Sequence, residues 1–139
     1  MELNCDKFRL SLGRLDAQWV NFQKIDNIWP VITQEAIRES VIQRFEVGSD
    51  CLWKVLKKYV ISEMGVAEVP NSPKPILRLA NENGLLEGDM ERWMKYTNAR
   101  TYTFHDYIGV KAEDALKLIE SYIDDAKQLF EKMTGEKWK

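Results

Sequence analysis

Apolar residues recur along this chain in steps of three and four. Phe8, Leu12, Leu15, Trp19 and Phe22 form the first run, which places one apolar stripe on a helix from roughly Asp6 to Asp26. Trp29-Pro30 interrupts it, because proline disfavours helical backbone at the residue before it. Thr33 then reads as an N-cap, with Glu35 in the first turn, where negative charge suits the helix dipole. Val41, Phe45, Gly48, Leu52, Val55 and Tyr59 continue the step and predict one long helix to about Met64, closed by Gly65. Gly48 sits on the seam of that helix, where a missing side chain permits close approach of a neighbour.

Val66 to Ser72 reads as a loop. Ser72-Pro73 is a helix start, with serine as cap and proline in the first turn. A short helix follows through Ile76, Leu77 and Ala80 to about Asn83-Gly84. Another begins near Gly88-Asp89 and carries Met90, Trp93, Thr97, Arg100 and Phe104 on one stripe. Gly109 punctuates. The last helix runs from about Lys111, with Ala112, Ala115, Ile119, Tyr122, Ala126, Leu129 and Met133 on one side. No segment alternates with a period of two, and no repeat, low-complexity tract or linker divides the chain. The pattern predicts an all-α fold, residues 1–139 as a single domain, with long helices packed as in an up-and-down four-helix bundle plus an additional short helix.

Composition narrows the function classes. The chain has 139 residues, 45% hydrophobic and 30% charged, an ordinary globular balance. No apolar run approaches the roughly 18 residues that span a bilayer, and Met1 to Asp6 has no basic region leading into an apolar one. No membrane association and a cytoplasmic location are therefore expected. With a formal net charge of −2, the whole molecule does not attract nucleic acid, so any RNA contact needs a local basic patch or a basic partner. Lys54, Lys57 and Lys58 read as a solvated helix face. Cys5 and Cys51 form no CxxC pair and read as structural thiols.

The chain has one histidine, His105. A Ser-His-Asp or Cys-His arrangement must use it, and multi-His metal sites are excluded. There is no Walker A loop, no GxGxxG and no HExxH. Carboxylate pairs such as Asp124-Asp125, or Glu46 and Asp50, read as ordinary helix residues rather than a magnesium site. No metal and no cofactor are expected. Arg100 stands out, because it falls where the stripe from Met90 to Phe104 calls for a hydrophobe. A guanidinium there must be paired. Glu46 or Asp50 on the long helix, or a ligand phosphate matched to the planar fork, can supply the partner. On an ideal helix Arg100 and Tyr107 share a face while His105 points away. His105 and Arg100 converge only if the helix ends or distorts between them, or across a dimer interface.

Arg100-x4-His105-Asp106-Tyr107 resembles the Arg-x4-His-x-Tyr signature of the HEPN superfamily, in particular the substrate-binding partner subunits of two-component minimal nucleotidyltransferases. Further segments are similar in the same order. They are Gln43-Arg44-Phe45-Glu46 leading into Leu52-Trp53-Lys54-Val55-Leu56-Lys57, then Ser72-Pro73-Lys74 with Ile76-Leu77-Arg78 and Gly84-Leu85-Leu86, then Trp93-Met94. The similarity spans about Glu35 to Ile123. It implies a bundle that dimerises and works beside a small nucleotidyltransferase, as a non-catalytic substrate-binding subunit. In some pairs of this kind the bundle is a toxin and the transferase its antitoxin, adding AMP to the motif tyrosine, here Tyr107. The resemblance also implies an alternative, a metal-independent ribonuclease acting on RNA. His105, with an ordinary pKa of about 6.5, would move the proton, and Arg100 would stabilise phosphate charge. One departure bears on that alternative: the position after the motif arginine is commonly Asn, Asp or His in the family and is Thr101 here. Asn98 is the nearest amide.

Overall fold

A computed structural model of the chain describes residues 3–86, 90–102 and 110–139, the side chains of Tyr102, Val110 and Lys111 excepted. Regular structure among these residues is α-helix: α1 (Asp6–Gln23), α2 (Val31–Ser62), α3 (Pro73–Glu82), α4 (Met90–Tyr102), α5 (Val110–Leu116) and α6 (Ile119–Thr134). The expected all-α, up-and-down bundle is built from α1, α2, α4 and α6, and α3 and α5 are the short additions. None of the described helices is long and apolar enough to cross a membrane.

The stripe on α1 buries Phe8, Leu12 and Leu15 against α2 and α6. Trp19 and Phe22 stack on each other with ring centroids 5.2 Å apart and are only partly buried. The reason lies in α2, whose 32 residues span about 48 Å at 1.5 Å per residue. Nothing in it before Val41 is buried, so the first third of α2 and the end of α1 lie outside the main core. At the turn between them Ile28, Trp29, Val31 and Ile32 are exposed.

Helix boundaries differ from the sequence expectation where proline sets them. α2 begins at Val31, not after Thr33. Pro30, with φ −53°, takes the N-cap position, and its carbonyl accepts the amides of Thr33 and Gln34 at 3.0 and 3.2 Å. The Gln34 side chain donates to the Trp29 carbonyl at 2.9 Å and fixes the entry. Gly65 follows the end of α2 with φ +69°, in the left-handed region that glycine enters freely. α3 starts at Pro73 behind an extended Ser72. It closes on Gly84, where the Leu85 amide bonds the Ala80 carbonyl and the Gly84 amide bonds the Asn81 carbonyl, each at 3.0 Å, a Schellman ending.

The last predicted helix is two helices. The chain breaks at Lys117-Leu118, where the Leu118 amide reaches the Ala115 carbonyl at 2.9 Å in one tight turn before α6 begins. Gly48 also differs from expectation in detail. A methyl there would sit 3.7 Å from Tyr122 Oη and 3.8 Å from Ser11 Oγ, ordinary contact distances, so the glycine leaves a shallow gap instead of relieving a clash. At the centre of the core, edge-to-face ring pairs link Phe45 to Tyr122, Tyr122 to Tyr96 and Tyr96 to Trp93, at 5.0, 5.3 and 5.4 Å. Such pairs add about 0.5–1.5 kcal/mol each beyond their burial, and they join α2, α6 and α4.

Candidate functional site around Arg100

Two polar clusters hold α4, one on each side. Towards α2, Arg100 meets Glu46 and Asp50, which lie one turn apart on that helix. Arg100 Nη1 donates to Glu46 Oε2 at 3.1 Å, while Nε and Nη2 donate to the two Asp50 oxygens at 3.2 and 3.1 Å. The Asp50 contact is the planar fork that arginine makes with a carboxylate. Burial differs across the cluster: the side chain of Glu46 is 8% exposed, Arg100 22% and Asp50 40%. The inner ion pair is largely desolvated and the outer one is open to water. Of the two chain partners considered for Arg100, the structure brings both.

Towards α6, Asp125 is 7% exposed and receives three hydrogen bonds. Arg92 donates Nε at 3.1 Å and Nη2 at 2.9 Å, and the Tyr96 hydroxyl donates at 2.6 Å. Burial first, and then the Asp125 carboxylate, push the Tyr96 hydroxyl up from its ordinary value to about 12. Tyr122, fully buried, is pushed up too, chiefly by burial, and its hydroxyl has no hydrogen-bond partner among the described residues. The sequence reads Asp125, with Asp124, as an ordinary helix carboxylate. The signal was present: Asp125 lies three residues after Tyr122 and four before Leu129, on the apolar stripe of α6, as Arg100 does on α4.

Thr101 is exposed, and its hydroxyl donates to the Thr97 carbonyl at 3.1 Å, so its one proton is spent within its own helix. Asn98 lies two residues before Arg100, about 200° round α4, and does not join the cluster. His105 and Tyr107, with Gly109, lie outside the described residues. Both cysteines are free thiols, Cys5 buried and Cys51 half-buried. Burial, and then Asp6, raise the Cys5 pKa. Lys54 and Lys58 are exposed, as a solvated face requires, and Lys57 bonds Asn71 at 3.0 Å.

These helices define a class with solved members. A Thermus thermophilus structure superposes with a TM-score of 0.75 at 24% identity, covering 91% of this chain and 98% of that one. A Haemophilus influenzae structure, reported to reveal the fold of a substrate binding domain of a nucleotidyltransferase, superposes with a TM-score of 0.81 at 25% identity, covering 94% and 98%. In sequence, a Haemophilus influenzae protein named probable ribonuclease HepT is 27% identical over 136 residues, 90% of this chain and 92% of that one. The chain belongs to the family described as nucleotidyltransferase substrate binding protein like, which matches residues 3–135.

Proposed function

We propose that this chain, acting as one cytoplasmic domain, is the non-catalytic partner subunit of a small nucleotidyltransferase, docking the transferase and helping to present its substrate. The observation that carries this reading is the state of Arg100. At least three of its N–H donors are directed at Glu46 and Asp50, and these two carboxylates oppose an RNA phosphate at that place. Thr101, with its hydroxyl bonded back to Thr97, removes the polar group that usually follows the motif arginine. Family membership and the description of the Haemophilus influenzae fold support the same partner. The reading includes a homodimer, for which the exposed residues at the α1–α2 turn offer an apolar contact.

The name of the 27% identical relative favours one other reading. In it the chain is a metal-independent ribonuclease toxin using Arg100 and His105, silenced by the transferase through AMP addition at Tyr107. The test is incubation of the purified protein with labelled tRNA and mRNA in EDTA, beside the His105→Ala variant. The binding-subunit reading expects no cleavage by either. Cleavage by the wild type alone overturns it in favour of the ribonuclease.

A further inference from the structure

On the outer side of the α1–α2 pair, two helical stripes enclose a groove of about 420 Å³. Lys7, Leu10, Ser11 and Arg14 of α1 form one wall, and Ser40, Gln43, Arg44, Val47 and Cys51 of α2 form the other. Each wall carries an exposed hydrophobe, Leu10 at 64% and Val47 at 52%. Every charged residue lining the groove is a cation, in a chain with 22 acidic and 20 basic residues. None of Lys7, Arg14 and Arg44 is ion-paired with a described carboxylate. Arg44 Nη1 donates to the Arg14 carbonyl at 2.9 Å across the seam, which fixes one cation at the rim and ties the walls together.

We infer that this groove docks an acidic amphipathic helix of the nucleotidyltransferase partner. The inference rests on the partner reading above and adds where the partner sits and by what chemistry. Ser40 to Cys51 covers about 16 Å of α2, so the groove accepts roughly three turns of helix. Apolar residues spaced i, i+3, i+4 and i+7 would lie between Leu10 and Val47, with carboxylates on the flanks against Lys7, Arg14 and Arg44. A second copy of this chain is disfavoured here. A two-fold contact through this face sets the cations against their own counterparts. RNA is disfavoured because three cations neutralise few phosphates and the two apolar walls would be left unmatched. At 100° per residue, the groove positions of α2 lie about a quarter turn from Glu46 and Asp50. A helix seated there places the partner beside the Arg100 cluster.

The test uses the full chain and a purified small nucleotidyltransferase from the same organism. Wild type is compared with a variant carrying Lys7→Glu and Arg14→Glu. Both side chains are exposed, and a glutamate at position 7 suits the first turn of α1. A second variant, Leu10→Asp with Val47→Asp, probes the apolar walls. Calorimetric titration should show each double variant binding at least about tenfold more weakly, with circular-dichroism melting unchanged. Cys51, on the groove wall, should react more slowly with maleimide in the wild-type complex than in the free chain. Wild-type complex formation with undiminished affinity in both variants, and Cys51 equally reactive, overturns the groove and leaves the partner reading standing. Absence of any wild-type complex overturns both. Loss of self-association or of RNA retention in the variants, with transferase binding intact, reassigns the face to a second copy or to RNA.

Discussion

Replacing Arg100 by alanine takes from the buried Glu46 the guanidinium that it faces. The Asp50 half of the cluster costs little, because a carboxylate 40% exposed recovers its water and an exposed pair contributes at most about 1 kcal/mol. Glu46 is different. Its side chain is 8% exposed, and truncating one partner of a buried pair costs about 3–5 kcal/mol. That figure is an upper bound here, since Arg100 itself is 22% exposed and Glu46 makes further interactions. About 2 kcal/mol for the guanidinium lost from the desolvated carboxylate, with about 1 kcal/mol for the outer pair and the buried stem, gives roughly 3 kcal/mol in all. Asp50→Ala should cost about 1 kcal/mol or less.

The sharper expectation concerns the double variant. Glu46→Ala alone leaves Arg100 forked to Asp50, so it should cost less than Arg100→Ala. Adding Glu46→Ala to Arg100→Ala removes a carboxylate that has lost its guanidinium, so it should cost less there than it does alone, and the double variant should fall short of the sum of the two costs. Urea unfolding followed by circular dichroism, at pH 7 and one fixed protein concentration, measures all four. In melting temperature, roughly 3 kcal/mol corresponds to about 6–12 °C for a chain of this size. A double variant less stable than either single one, by the sum of their costs, would refute the reasoning. It would show that Glu46 is not a desolvated charge dependent on Arg100.

The two buried tyrosines make a second contrast. Tyr122→Phe removes a hydroxyl without a partner among the described residues and should be neutral or stabilising by up to about 1 kcal/mol, whereas Tyr96→Phe removes a bond to a buried carboxylate and should cost about 1.5–3 kcal/mol; a loss above about 1 kcal/mol in Tyr122→Phe contradicts this. Because Tyr96 is raised to about 12 in the folded state, the stability it contributes is complete below its unfolded pKa of about 10. It is lost as pH rises through 12, at about 1.4 kcal/mol per unit. Tyr122 adds to the same alkaline loss, so the slope of urea-derived stability between pH 10 and 12 should be shallower in Tyr122→Phe, and an unchanged slope would show that the hydroxyl titrates normally. Lastly, sedimentation equilibrium should show a dimer at micromolar protein that dissociates in Ile28→Asp with Ile32→Asp; a wild-type monomer ends the homodimer proposal, and an undisturbed variant dimer places the contact elsewhere.

The bundle was legible because five helical stripes repeat in steps of three and four, and Phe8, Leu12, Leu15, Val41, Phe45, Leu52, Ile76, Trp93, Ile119, Tyr122 and Leu129 on those stripes are buried in the core. Periodicity was blind to the break between α5 and α6. Ala115, Ile119 and Tyr122 keep their spacing through it, since one tight turn shifts the phase little, and neither Gly nor Pro marks Lys117 or Leu118. The start of α2 was misplaced because a threonine cap was preferred to Pro30, whose fixed φ already suits a first turn. At the candidate site, the charge of Arg100 on an apolar stripe announced a partner, but sequence could not choose among Glu46, Asp50 and a phosphate. That choice depends on the rotation of α2 against α4. The same reasoning applied to Asp125 finds the second cluster, since Asp125 also lies on an apolar stripe, although an adjacent Asp124 makes the pair read as ordinary helix carboxylates.

These two clusters perform different work on one helix. Asp125 is satisfied within its own chain, by Arg92 and Tyr96, and almost no surface leads to it. It locks α4 to α6. The Arg100 cluster is graded from a desolvated Glu46 to a solvated Asp50, so its outer carboxylate is the group that an incoming ligand meets first. A phosphate approaching Arg100 must displace Asp50 while Glu46 keeps the guanidinium in place, and it meets negative charge as it does so. A cationic or hydrogen-bond-donating group on a partner meets no such opposition. Under the partner-subunit proposal, the asymmetry of burial across these three side chains suits a surface that receives a protein or a presented substrate.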